Sequence, residues 1–214
     1  MGAGPPLGGR PDAETGMTSD FSTSDFPTPD FSSLPADLPA PVDDGAAAHL
    51  TGMRLPDVAL TATDGSLVSL ARLPGRTVVY AYPRTGEPGQ PNLVADWDAI
   101  PGARGCTPQS CAFRDHHAAL TARGVARVHG LSTQTSPYQR EAAERLHLPF
   151  TLLSDHHRAF AMAARLPTFA AGGTVLLKRL TLVVDDGVVT RVFYPVFPPD
   201  RSAGEVVAWL DAAA

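Results

Sequence analysis

The chain is 214 residues long, 43% hydrophobic, with a formal net charge of -5. That is room for one domain of ordinary size with a segment to spare. An acidic balance with no Lys/Arg cluster excludes the electrostatic footprint of a nucleic-acid or anionic-membrane binder. No run approaches the roughly 18 apolar residues of a membrane helix, and no basic start followed by an apolar stretch marks a signal peptide. The expectation is a soluble, cytoplasmic protein.

Residues 1–50 are dominated by Gly, Pro, Ser, Thr and Asp and hold no period, so they read as a disordered extension to a domain over 51–214. Asp20-Phe21, Asp25-Phe26 and Asp30-Phe31 recur there at even spacing, as low complexity or as a docking motif. Val58, Leu60 and Ala62, the Asp64-Gly65 turn and Leu67 to Leu70 predict a hairpin. Thr77 to Tyr82 has no polar face and predicts a central strand covered on both sides, ended by Pro83.

After a long loop, Thr107-Pro108 opens a helix expected to run unbroken to about Arg123, with Gly124 as its stop. Val125 to Ser132 is the next strand and Ser136 to Leu146 the next helix. Phe150 to Leu153 reads as a strand and Asp155 to Arg165 as a short helix. Arg179 to Asp185 and Val188 to Tyr194 pair through the Asp186-Gly187 turn. Ser202 and Glu205 read as a capping box for a closing helix. Strands alternating with helices give an α/β sandwich of thioredoxin type, a mixed sheet flanked by helices.

The two cysteines, Cys106 and Cys111, are too few for a secreted disulfide framework or an all-cysteine zinc site. Spacing alone leaves packing and redox chemistry evenly matched. If Cys106 lies at the start of the helix, unpartnered N–H groups and the helix dipole favour a thiolate there. An ordinary thiol is only about 3% ionised at pH 7, and one helix terminus rarely supplies what a largely ionised thiol needs, so a nearby cation is required. Arg114 and Arg179 are the candidates. Five positions along an intact helix separate two Cα atoms by roughly 8.7 Å, with side chains about 140° apart. A disulfide needs Cα atoms within about 7 Å, so joining these cysteines requires the first turns to unwind. The paired histidines His116-His117 and His156-His157 read as solvated helix residues, since neighbours on a helix do not chelate one ion well.

The run Gly105-Cys106-Thr107, Cys111 and Phe113-Arg114-Asp115 resembles the signature of peroxiredoxins of the bacterioferritin comigratory protein or peroxiredoxin Q group. Tyr80-Ala81-Tyr82-Pro83, Gly130-Leu131-Ser132, Leu148 to Asp155 and Arg179 to Asp185 are similar to further segments of that family, in the same order. The resemblance spans residues 53–211. It implies Cys106 as the peroxidatic cysteine, Cys111 as the resolving cysteine joined to it in an intramolecular disulfide, and Arg179 as the cation. It also implies a peroxide substrate, an external dithiol such as thioredoxin as reductant, no cofactor or metal, and a monomer or weak homodimer.

The family places Thr or Ser three residues before the peroxidatic cysteine and Pro seven before, where this chain has Ala103 and Ala99. The loop from Arg84 to Arg104 is longer than the family's. With Pro83 and Thr85 at the strand exit, Thr85 could supply the missing hydroxyl; alternatively the loop is a surface lid and the backbone N–H groups of Gly105 and Cys106 act alone. Trp97 either lines a substrate pocket or anchors its loop. Two functions follow: a thiol peroxidase, or a redox-sensing interaction protein using the same cysteine switch without efficient turnover.

Overall fold

The computed structural model describes residues 1, 2, 4 and 33–213; the Asp-Phe repeats lie outside them. Seven strands form one mixed sheet in the order β2-β1-β5-β4-β3-β8-β9. They are β1 (Leu60–Ala62), β2 (Leu67–Val68), β3 (Arg76–Ala81), β4 (Val125–Ser132), β5 (Leu152–Ser154), β8 (Leu180–Asp185) and β9 (Val188–Phe193). The apolar run predicted to be central is β3, parallel to β4 on one side and antiparallel to β8 on the other.

Alternation along β3 divides the core. Val79 and Ala81 face a cluster closed by Leu50, Leu60, Leu182 and α4 (Ala159–Ala164), while Val78, Tyr80 and Tyr82 face one closed by α1 (Cys106–Asp115), α2 (His117–Thr121) and α5 (Ser202–Ala212). The helix α3 (Ser136–Arg145) covers β5 through Ala142 and Ala143. This is the thioredoxin-like sandwich expected from the sequence. Gly130 on β4 is needed for its small size: a Cβ there would lie 2.5 Å from Leu152 and 2.8 Å from the Tyr80 ring.

The structure corrects the sequence reading in several places. The helix after the cysteines breaks at His116, where φ -94° and ψ 2° leave the helical path and Nδ1 bonds the Ala112 carbonyl at 2.9 Å. The short helix begins at Ala159, because the buried Asp155 carboxylate accepts from the N–H groups of Phe160 and Ala161 at 3.1 and 2.8 Å. Ser202 does not cap α5; its hydroxyl turns inward to Thr181 Oγ1 at 3.0 Å.

A hairpin of β6 (Thr168–Ala171) and β7 (Thr174–Leu177), unforeseen in the sequence, stands apart from the main sheet. It packs with the 84–104 loop into a small third core of Trp97, Ala103, Ala171 and Leu176. The domain also begins before residue 51. Ala47 and Leu50 are buried in the main core, and Asp44 binds Lys178 Nζ at 2.6 Å and the Tyr194 hydroxyl at 2.7 Å. The polar composition of residues 33–50 hid these few anchors.

Candidate active site

Cys106 is the first residue of α1, one place further into the helix than expected. Gly105 before it has φ 102°, a left-handed conformation that glycine adopts without strain. A side chain would not fit there either, since a Cβ would meet Pro199 at 2.5 Å and Leu34 at 2.8 Å. The sulfur is therefore set at the helix start by a residue that only glycine can fill.

Arg179 comes from 73 residues further along the chain, one residue ahead of β8, and its side chain is buried with that of Cys106. Its Nη2 donates to Cys106 Sγ at 3.2 Å. The same nitrogen faces the carbonyls of Gly102, Ala103 and Arg104 at 3.3, 3.3 and 3.1 Å. Nη1 donates to Gln109 Oε1, and Gln109 in turn reaches Ser202 Oγ at 3.4 Å. Of the two candidate cations, Arg179 is thus the one beside Cys106. Arg114 serves elsewhere, donating to Asp115 at 2.8 Å and to the Leu146 carbonyl at 3.0 Å. The Asp115 carboxylate holds the Arg114 pKa up, with smaller contributions from Cys111.

Cys106 opens on a narrow cavity of about 20 Å³, space for one or two water-sized molecules. Thr85, Thr107, Trp97, Arg84, Arg104 and Tyr138 are among its walls. Trp97 both lines this cavity and anchors the third core, so the two readings of it are not exclusive. The 84–104 segment is a wall of the site with its own apolar packing rather than a loose surface loop.

Thr85 is brought to Cys106, but its hydroxyl proton is committed to Gln134 Oε1 at 3.1 Å. Its N–H donates to the same oxygen at 2.9 Å, and its carbonyl accepts from Gln134 Nε2 and the Tyr138 hydroxyl. Thr85 can accept a hydrogen bond from a ligand; it does not have the free donor expected of it. Pro83 stands behind, its carbonyl held by Ser132 Oγ at 3.0 Å, and does not line the cavity. Gln109, Gln134 and Tyr138 were not foreseen, because the partners that place them here lie 49 to 93 residues away and no local motif announces them.

Both cysteines are free thiols within α1, and Cys111 is half-buried. The helix between them is pinned by the Tyr80 hydroxyl, which donates to Ser110 Oγ at 3.1 Å, and by Tyr80 stacked on Phe113 with ring centroids 4.4 Å apart. Burial pushes the Tyr80 phenol well above its usual range, so it stays neutral beside the thiols. Among the described residues no group of three or more His, Cys, Asp or Glu could hold a metal ion. None of their helices is long and apolar enough to cross a membrane.

Residues 50–207 match the family described as Redoxin. The chain is 33% identical over 163 residues to the chloroplastic peroxiredoxin Q of Oryza sativa subsp. japonica, a match covering 75% of this chain and 66% of that protein. It is 30% identical over 188 residues to chloroplastic peroxiredoxin Q of Gentiana triflora, covering 85% and 78%. The chain thus spans just under two thirds of the length of the rice protein. The plant relatives are designated chloroplastic, a compartment other than the cytoplasm expected from the sequence. Among solved structures, peroxidoxin BcpB of Mycobacterium tuberculosis superposes with a TM-score of 0.61 at 25% identity, over 77% of this chain and 97% of that one. Peroxiredoxin Q of Xanthomonas campestris shares the fold, with a TM-score of 0.59 at 21% identity over 76% and 97%. A sandwich of this topology, a cysteine opening its first long helix and relatives at this level of identity together make the chain a member of the peroxiredoxins, an oxidoreductase family, within the peroxiredoxin Q and bacterioferritin comigratory protein group.

Proposed function

We propose that the chain is a thiol-dependent peroxidase for hydrogen peroxide or small alkyl hydroperoxides, with Cys106 as the attacking group. The observation that carries this reading is the Arg179 Nη2 to Cys106 Sγ contact of 3.2 Å, with Cys106 itself in the wall of a cavity of about 20 Å³. A fixed guanidinium there stabilises negative charge on sulfur and, as the charge moves, on oxygen. The Cys106 thiolate attacks one peroxide oxygen, the S–O bond forms as the O–O bond breaks, and the other oxygen leaves as hydroxide or alkoxide and takes a proton. Cys106 is then a sulfenic acid. Cys111 attacks that sulfur, releasing water and closing a disulfide, after the first turns of α1 unwind. An external dithiol such as thioredoxin returns both cysteines to thiols.

The test is peroxide consumption with a thioredoxin system by the wild type, Cys106→Ser and Cys111→Ser. Turnover by the wild type alone, with sulfenic acid still formed in Cys111→Ser, is the expected result. A wild type no faster than Cys106→Ser sinks the reading. The buried Ala103, where the family places a hydroxyl, favours a second reading, a redox switch without turnover. Rapid oxidation of Cys106 without recycling would establish it.

A further inference from the structure

We propose that the Thr107 hydroxyl donates the hydrogen bond that holds and activates the peroxide, taking over from the hydroxyl that Ala103 lacks. This rests on the peroxidase reading above. Thr107 follows Cys106 in the first turn of α1, is 4% exposed, and lines the same cavity as the reacting cysteine. Its Oγ1 is buried without a hydrogen-bond partner. An unpaired buried hydroxyl is costly and uncommon, and in a native structure it calls for a reason. A small polar molecule entering the cavity supplies one.

The Thr85 hydroxyl and the terminal nitrogens of Arg179 are already engaged. The Thr85 proton goes to Gln134, and Arg179 divides its terminal nitrogens among Gln109, Cys106 and three carbonyls. Thr85 and Thr107, which line the same cavity, therefore offer complementary groups, an acceptor and a donor. Thr85 Oγ1 accepts from the O–H of the peroxide, and Thr107 Oγ1 donates to a peroxide oxygen. As sulfur attacks and the O–O electron pair passes to the departing oxygen, the Thr107 bond strengthens, which places its effect in the transition state. The leaving hydroxide or alkoxide then takes its proton from water.

The experiment uses the full chain with Cys111→Ser, so that oxidation stops at the sulfenic acid, and compares Thr107→Val and Thr107→Ser. The rate of Cys106 oxidation by hydrogen peroxide is measured beside the rate of Cys106 alkylation by iodoacetamide, a reaction that needs no peroxide oxygen to be stabilised. Thr107→Val is expected to slow oxidation at least tenfold while alkylation stays within about twofold, and Thr107→Ser is expected to restore oxidation. Equal oxidation rates in Thr107→Val and its parent overturn the inference. An equal fall in oxidation and alkylation also overturns it, since that marks a structural role. If the parent itself does not react faster than Cys106→Ser, the peroxidase reading fails and Thr107 falls with it.

Discussion

The Arg179 guanidinium, at least 70 residues further along the chain, holds one short stretch in place: the 102–104 carbonyls, Cys106 and Gln109. Its fork of donors suits this task, whereas a lysine has one compact ammonium that cannot serve both sides at once. Arg179→Lys is therefore expected to cut the rate of Cys106 oxidation by about 10²-fold, read by stopped-flow mixing with hydrogen peroxide. A loss of less than threefold would show that positive charge alone suffices. At this scale the sequence reads unevenly. Cys106, Cys111 and Arg179 sit in runs with a recognisable pattern, and the need for a cation follows from thiol chemistry. Thr107 was part of the motif, yet nothing in a linear sequence shows that its hydroxyl goes unpaired while that of Thr85 is spent on Gln134. Satisfaction of polar atoms is decided by tertiary neighbours.

Strands with long apolar runs were legible because β3, β4 and β8 bury nearly every side chain. The β6–β7 hairpin was missed although Gly172-Gly173 marks its turn. Its short strands are half exposed, and apart from Leu177, which joins the main core, their apolar side chains pack with the 84–104 loop. The break at His116 was equally hidden, since a helix stop at Gly124 fits either one helix or two. Another histidine sets a condition on the sheet itself. His129 on β4 is buried, with Nδ1 on Thr151 Oγ1 at 3.0 Å just ahead of β5, and burial lowers its pKa below the ordinary 6.5. The fold thus keeps the neutral ring, so this source of stability is intact above pH 6.5 and is lost as pH falls through the lower folded value. The melting temperature is expected to fall between about pH 7 and pH 5, and His129→Gln to flatten that part of the curve. An unchanged slope in the variant would place the acid sensitivity elsewhere.

Over the whole molecule, the segment from Ser33 to Leu50 ties the two halves of the site together. Leu34 lies against Gly105, Pro41 against Gly102, and Asp44 binds Lys178, the neighbour of Arg179. The Lys178 ammonium and the Tyr194 hydroxyl hold the Asp44 carboxyl far below its usual range. These contacts are exposed and individually weak. Asp44→Asn is expected to leave the melting temperature nearly unchanged, while limited proteolysis cuts the 33–46 stretch sooner than in the wild type. Equal cleavage times would mean that apolar anchors such as Leu50 suffice. The placement of this segment was illegible because its composition is that of a linker, and a handful of contacts decides its position.

Trp97 stands in the wall of the cavity that holds Cys106, whereas the chain's second tryptophan, Trp209, lies on α5 against Phe193. An indole beside a sulfur that changes from thiol to sulfenic acid to disulfide is a built-in fluorophore. Its emission should follow each oxidation step in real time, without a dye or a coupled reaction.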